Sequence, residues 1–249
     1  MPGMNGMDLS QAVAVGLVFV VAGAVKGITG MGLPTVAVSL LGLWMAPGEA
    51  AALLVVPALA TNVAQCRGPY LRRLAARLWP AWAALALVTI AMPVPAAGPA
   101  GLGAHALLGG VLVLYGLWGL WRPRLPDLPS RARWVAPVAG AATGAVTAAT
   151  AVFVLPLVPW LQCLRLGREE MVQALGLSFT VATLALAVRL GSSGGGNPWS
   201  VDAALALLAA CAGLGLGAWV RTRISGAAFQ RALFLVFVGL GVANLLRGA

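Results

Sequence analysis

The stretch Lys26-Gly27-Ile28-Thr29-Gly30-Met31-Gly32-Leu33-Pro34 sets three glycines and a proline into an otherwise apolar tract. Glycine and proline both weaken a helix, so this cluster predicts a break. Backbone groups freed by a break cannot face lipid, and protein or a water-lined cavity must satisfy them. A helix that restarts near Pro34 presents unpaired N–H groups and a positive dipole end, which suits an anion. Close helix packing through small residues is the competing reading of the same glycines.

A second stretch, Gly144 to Ala151, carries Thr147 and Thr150 and is followed by Pro156 and Pro159. Breaks at matching places in two halves of a chain point to a transporter site. Thr29, Thr143, Thr147 and Thr150 offer hydroxyls to an anion's oxygens. Threonine in a membrane helix also bonds its own i−4 carbonyl, which is the plainer alternative. Asn62, Gln65, Gln162 and Gln173 are amides inside apolar segments, where an amide turns toward the bundle interior. Gln173, Thr180 and Thr183 share one face of a helix, seven residues being close to two turns. Lys26 and Arg189 are expected to snorkel to the interfaces; pointed inward, either would supply a positive field. Glu49 and the Glu169-Glu170 pair sit at segment starts, where carboxylates complement helix dipoles. His105 and the tryptophans Trp79, Trp82, Trp118, Trp121, Trp134 and Trp160 are expected at the interfaces.

The elements that position these residues follow from composition. Of 249 residues, 61% are hydrophobic and only 9% charged. An ordinary soluble domain has about 25% charged residues, and a globule this poor in charge cannot clothe its own surface. The tracts 9–25, 78–97, 102–121, 171–188 and 203–220 are nearly free of charge and near the ~20 residues that a membrane helix needs. The tracts are continuous, not alternating, which excludes a transmembrane β-barrel. The expected fold is an all-α polytopic helical membrane protein with about ten apolar segments: 9–25, 33–46, 49–66, 78–97, 102–121, 134–149, 151–164, 170–190, 201–220 and 228–247. Segments two and seven are short or re-entrant. The N-terminus lacks a positive n-region, so the first segment is expected to be retained.

Most of the 16 Lys and Arg residues fall in four connectors: Arg67 to Arg77, Arg122 to Arg133, Arg165 with Arg168, and Arg221 with Arg223. That is the positive-inside pattern. It places the basic loops in the cytoplasm and both termini outside, and it accounts for the net charge of +10 without nucleic acid. Cys66, Cys163 and Cys211 are isolated, there is no HExxH, GxSxG or GxxxxGK[ST] motif, and no metal, cofactor or enzymatic chemistry is expected.

The chain also repeats itself. Ala22 to Thr29 resembles Ala139 to Val146 at a spacing of 117, and Gly48 to Leu54 resembles Glu169 to Leu175 at a spacing of 121. Two halves of five segments, an odd number, must enter the membrane from opposite faces. The expected organisation is a first repeat over 1–121, a basic cytoplasmic linker over 122–133 and a second repeat over 134–249.

Gly23 to Pro34 (G-x-x-x-G-x-T-G-x-G-x-P), Ala50 to Asn62, Gly140 to Gln162 and Val172 to Thr180 together resemble the TauE/SafE family, the sulfite exporter or 4-toluene-sulfonate-uptake-like permeases. The resemblance covers nearly the whole chain. It implies an inner-membrane secondary transporter of a small sulfur-containing anion, sulfite or an organosulfonate, by alternating access. The expected substrate-binding residues are Gly27, Thr29, Gly30, Gly32, Pro34, Asn62, Thr143, Thr147, Thr150, Gln162, Gln173 and Thr180. Protons are the candidate coupling ion, and a homo-oligomer is compatible with the reading. The alternatives are a non-catalytic subunit of a larger complex and, less well supported, a membrane-embedded enzyme.

Overall fold

The computed structural model describes residues 8–92, 102–121, 132–193, 199–223 and 226–247. Most of the expected linker 122–133, with Arg122, Arg124 and Arg131, and the connectors 93–101 and 194–198 lie outside the described residues.

Ten helices and no strand are found among the described residues: α1 (Leu9–Thr29), α2 (Leu33–Leu41), α3 (Pro47–Gln65), α4 (Leu71–Ala91), α5 (Leu102–Trp121), α6 (Ala132–Thr150), α7 (Leu157–Gln162), α8 (Arg168–Ser193), α9 (Val201–Val220) and α10 (Gly226–Arg247). The ends follow local rules. Asp8 accepts the Leu9 N–H at the start of α1, and Ser200 accepts the Ala203 N–H at the start of α9. Pro34 and Pro47 stand in the first turns of α2 and α3, where a missing N–H costs little. Seven helices are long and apolar enough to cross a membrane. At 1.5 Å per residue α2 spans about 14 Å and α7 about 9 Å, well short of a hydrocarbon core of about 30 Å. Both are partial helices, as their lengths in the sequence suggest.

The packing is turned outward relative to a soluble protein. Leu9, Val13, Leu17 and Val21 form an exposed stripe along α1, and Leu107, Leu114 and Leu117 do the same on α5. Inside lie Lys26, Thr35, Asn62, Thr143, Thr147, Gln173, Thr183 and Arg189. Apolar surface outward and polar groups inward is the arrangement that a lipid solvent imposes.

The principal pairings are α1 with α9, α4 with α6, α5 with α10 and α3 with α8, joined by α3 with α9 and α4 with α8. This set maps onto itself when each helix is exchanged for the one five places away. Where α1 and α6 end and α3 and α8 begin, the register of the exchange is 121: Thr29 answers to Thr150, Gly30 to Ala151, and the α3 start at Pro47 to the α8 start at Arg168. The spacing of 117 expected for the first match holds at the packed glycines, where Gly23 and Gly27 against α9 answer to Gly140 and Gly144 against α4, and the four extra residues fall between Gly144 and Thr150.

Gly27 is placed differently from the expectation. It lies inside α1, not in the break. A Cβ on Gly23 would meet the Ala210 carbonyl and one on Gly27 the Leu214 carbonyl, while Gly213 and Gly217 of α9 face Val20 and Ala24 in return. Gly140 and Gly144 of α6 press on Ala81 and Leu85 of α4 in the second copy of this contact. Dispersion between closely approached backbones holds membrane helices where no hydrophobic effect separates protein from lipid. Replacing Gly23 with valine is expected to destabilise the protein by about 1–3 kcal/mol through overpacking. Gly16→Ala, on the same helix with nothing within 4 Å of its added methyl, is expected to be neutral. Thermal melting of both purified variants in detergent checks the contrast.

Candidate functional site

The first break is Gly30 to Gly32. Both glycines have positive φ, 82° and 99°, which reverses the chain between α1 and α2. The Gly30 N–H donates to the Lys26 carbonyl (2.7 Å), and the Thr29 hydroxyl accepts the Met31 N–H (3.2 Å). That hydroxyl donates in turn to the carbonyl of Val25 (2.9 Å) or of Met31 (2.7 Å). Gln65, at the end of α3, donates its amide to the Gly30 carbonyl (2.6 Å). Side chains thus answer the backbone groups that the break exposes.

The second break, Ala151 to Pro156, is built alike. The Ala151 N–H donates to the Thr147 carbonyl (2.8 Å), and the Thr150 hydroxyl accepts the Val152 N–H (3.2 Å) while donating to Val146 (2.8 Å). Ala151 holds φ at 56°, a conformation costing a residue with a Cβ about 1–2 kcal/mol. The Leu155–Pro156 peptide is cis. Phe153 within this break packs against Phe179 of α8, ring centres 5.2 Å apart.

Lys26 sits one turn before the first break and is 2% exposed. Its ammonium donates to the Thr61 hydroxyl (3.0 Å) and to the Asn62 carboxamide oxygen. The expected snorkelling does not occur, because Thr61 and Asn62 of α3 offer buried acceptors to the amine. Arg189 is corrected likewise: it is buried and donates to the Thr89 (3.1 Å) and Met92 carbonyls at the end of α4, which have no helical partner.

The breaks meet through α3 and α8. Gln65 touches Gly30, the Cys66 sulfur lies 3.4 Å from the Thr180 hydroxyl, and Phe179 backs the second break. Thr29, Gly30, Gly32 and Pro34 at the first break, with Asn62 bonded to Lys26, thus lie toward α3, and Thr150 at the second break and Thr180 lie toward α8. Other expected site residues do different work. Gln173 clamps the α3–α4 loop, donating to the carbonyls of Cys66 (2.9 Å) and Gly68 (3.1 Å) and accepting the Tyr70 N–H (3.1 Å). Thr143 and Thr147 return their hydroxyls to Ala139 and Thr143, both at 2.7 Å. Gln162 is exposed and lines an open cleft of about 290 Å³ with Met31, Tyr115, Trp118, Val158 and Phe234.

Among the residues expected at interfaces, Trp79, Trp121 and Trp134 are exposed, whereas Trp160 and His105 are buried. Trp82 donates to Ser178 (2.8 Å), tying α4 to α8. Glu170 is buried and lies 3.5 Å from Arg73, and Glu49 is exposed. The sequence reading left Lys26, Thr61 and Thr35 off the site. Thr35 is fully buried in the first turn of α2 with its hydroxyl unpartnered. Its position next to Pro34 was the available signal.

The family model described as sulfite exporter TauE/SafE matches residues 15–244. The chain belongs to that family. TauE/SafE proteins are membrane transporters of the sulfur-anion exporter type and not enzymes, and the seven long apolar helices agree with a multi-pass membrane protein. No curated relative and no solved structure matches the chain.

Replacing Gln173 with leucine removes three hydrogen bonds from the 66–70 loop. The expected cost is about 1–3 kcal/mol, seen as a lower melting temperature with faster proteolysis after Arg67. Faster proteolysis without a change in melting would limit the clamp to the loop itself.

Proposed function

We propose that the chain carries a small sulfur-containing anion, sulfite or an organosulfonate, across the inner membrane by alternating access. The two halves, 1–121 and 134–249 joined by the basic linker 122–133, move as inverted repeats about a site between the breaks. The observation that carries this reading is the matched pair of breaks. Each is closed by a threonine that accepts the N–H two residues on, and each reaches the contact between α3 and α8. Two such interruptions among transmembrane helices are costly unless a polar cavity uses them.

The proposed ligands are the region from Thr29 to Pro34 with Asn62 in the first half, and Thr147, Thr150 and Thr180 in the second. Basic loops face the cytoplasm and both termini lie outside, as the Arg distribution supports. Protons are the proposed coupling ion.

The deciding experiment is flux into proteoliposomes containing only this chain. The panel is sulfite, sulfate, thiosulfate, taurine and sulfoacetate, each with and without an imposed pH gradient. Saturable flux of one anion, accelerated by the gradient, is the expected result. No flux from folded protein would favour the subunit reading. Thr29→Val and Thr150→Val each remove the acceptor for a break N–H and are expected to lower flux about tenfold, the equivalent of ~1.4 kcal/mol. Unchanged flux in both would place the substrate elsewhere.

A further inference from the structure

The Lys26 ammonium has three N–H donors and no acceptor. Two of them meet Thr61 and Asn62, and among the described residues the third has no partner and the charge no carboxylate. Because an ammonium can only donate, Asn62 must turn its oxygen toward Lys26. Its amide nitrogen therefore points away from the lysine, carrying two further N–H donors. Asn62 is 0% exposed, and that nitrogen has no hydrogen-bond partner. One positive charge and three unfilled N–H donors are thus held within a few Å on adjoining helices, one turn from the Gly30 to Gly32 reversal. A buried charge and buried donors without acceptors are both destabilising, and more so at membrane depth. An oxyanion relieves both, supplying a negative charge and several acceptor oxygens.

We infer that Lys26 and Asn62 are the direct ligands of the transported oxyanion, with the lysine as counter-charge and the Asn62 amide as a positioning donor. This rests on the transport reading above and names residues that bind within it. The second half has no equivalent. By the register of the packed glycines or of the breaks Lys26 answers to Thr143 or Thr147, and Asn62 answers to Thr183, all of which bond carbonyls of their own helices. The counter-charge and the buried amide donor therefore come from one half only, and the second half contributes hydroxyls without charge. Thr61 fixes the lysine from beneath, since its hydroxyl accepts from Lys26 and donates to the Pro57 carbonyl (2.7 Å).

The test uses Asn62→Asp and Lys26→Met in the full chain. Asn62→Asp is nearly isosteric and gives the lysine a built-in counter-ion, so it is expected to melt at or above the wild-type temperature. Melting in detergent is followed against sulfite, methanesulfonate, phosphate and chloride at constant ionic strength, and flux is measured in proteoliposomes. Wild type is expected to be stabilised by at least one oxyanion. In both variants that shift is expected to vanish and flux to fall at least tenfold. Variants that keep the shift and the flux would make Lys26 a structural link between α1 and α3 and overturn the inference. If wild type carries none of the sulfur anions, the transport reading fails on its own. The ligand inference then stands if some anion stabilises wild type but not Asn62→Asp, and falls if no anion stabilises wild type.

Discussion

Backbone hydrogen bonding in a solvent that offers none is the constraint on which this structure depends. Eight long helices satisfy it within themselves. The two interruptions cannot, and each is resolved by the same device: a threonine at the end of the preceding helix turns its hydroxyl back and captures the N–H two residues further on. Glycine makes the first reversal free of steric strain. At the second, Ala151 adopts the same left-handed conformation with a Cβ present, so surrounding contacts must hold it there. Phe153 against Phe179 and the burial of Val152 and Val154 are those contacts.

Close backbone approach does the corresponding work at the periphery. Glycines on α1 and α9, and on α6 against α4, let helices from opposite halves lie against each other without intervening side chains. Each half thereby grips the first or fourth helix of the other. That leaves α3 and α8 in contact, with the polar residues Gln65, Cys66, Gln173, Ser178 and Thr180 at or beside their junction. Pairing of these helices through small residues and polar contacts is compatible with the sliding that the proposed alternating access calls for.

Hydropathy made most of the fold legible, because helix length and charge-free runs are written directly in the residues. The first break was legible too, through Gly30, Gly32 and Pro34. What the sequence could not convey was which helix lies beside which. Lys26 looks like a snorkelling residue until α3 is placed next to it, and Arg189 until the end of α4 is. Gln173 looks like a ligand until the loop at residues 66–70 folds over it. Gly27 carries the same sequence signal as Gly30, yet one serves packing and the other reversal.

The two halves differ where a neutral scaffold becomes selective. Exchange of the halves converts Gln173 to Ala52, Lys26 to Thr143 or Thr147 and Asn62 to Thr183. The capping threonines and the close-packed glycines, which shape the backbone, are kept in kind, while the side chains that carry charge or clamp a loop belong to one partner only. Backbone geometry must be duplicated for an inverted pair to match, since both halves solve the same problem of unpaired groups in lipid. A charge need not be duplicated. A second buried lysine facing the first would add repulsion in a medium of low dielectric, where like charges at short range are strongly unfavourable. Under the alternating-access reading, a single cation suffices because both orientations use the same site. Under the proposed transport function, symmetry in the backbone with asymmetry in the charge lets one cationic site serve both orientations.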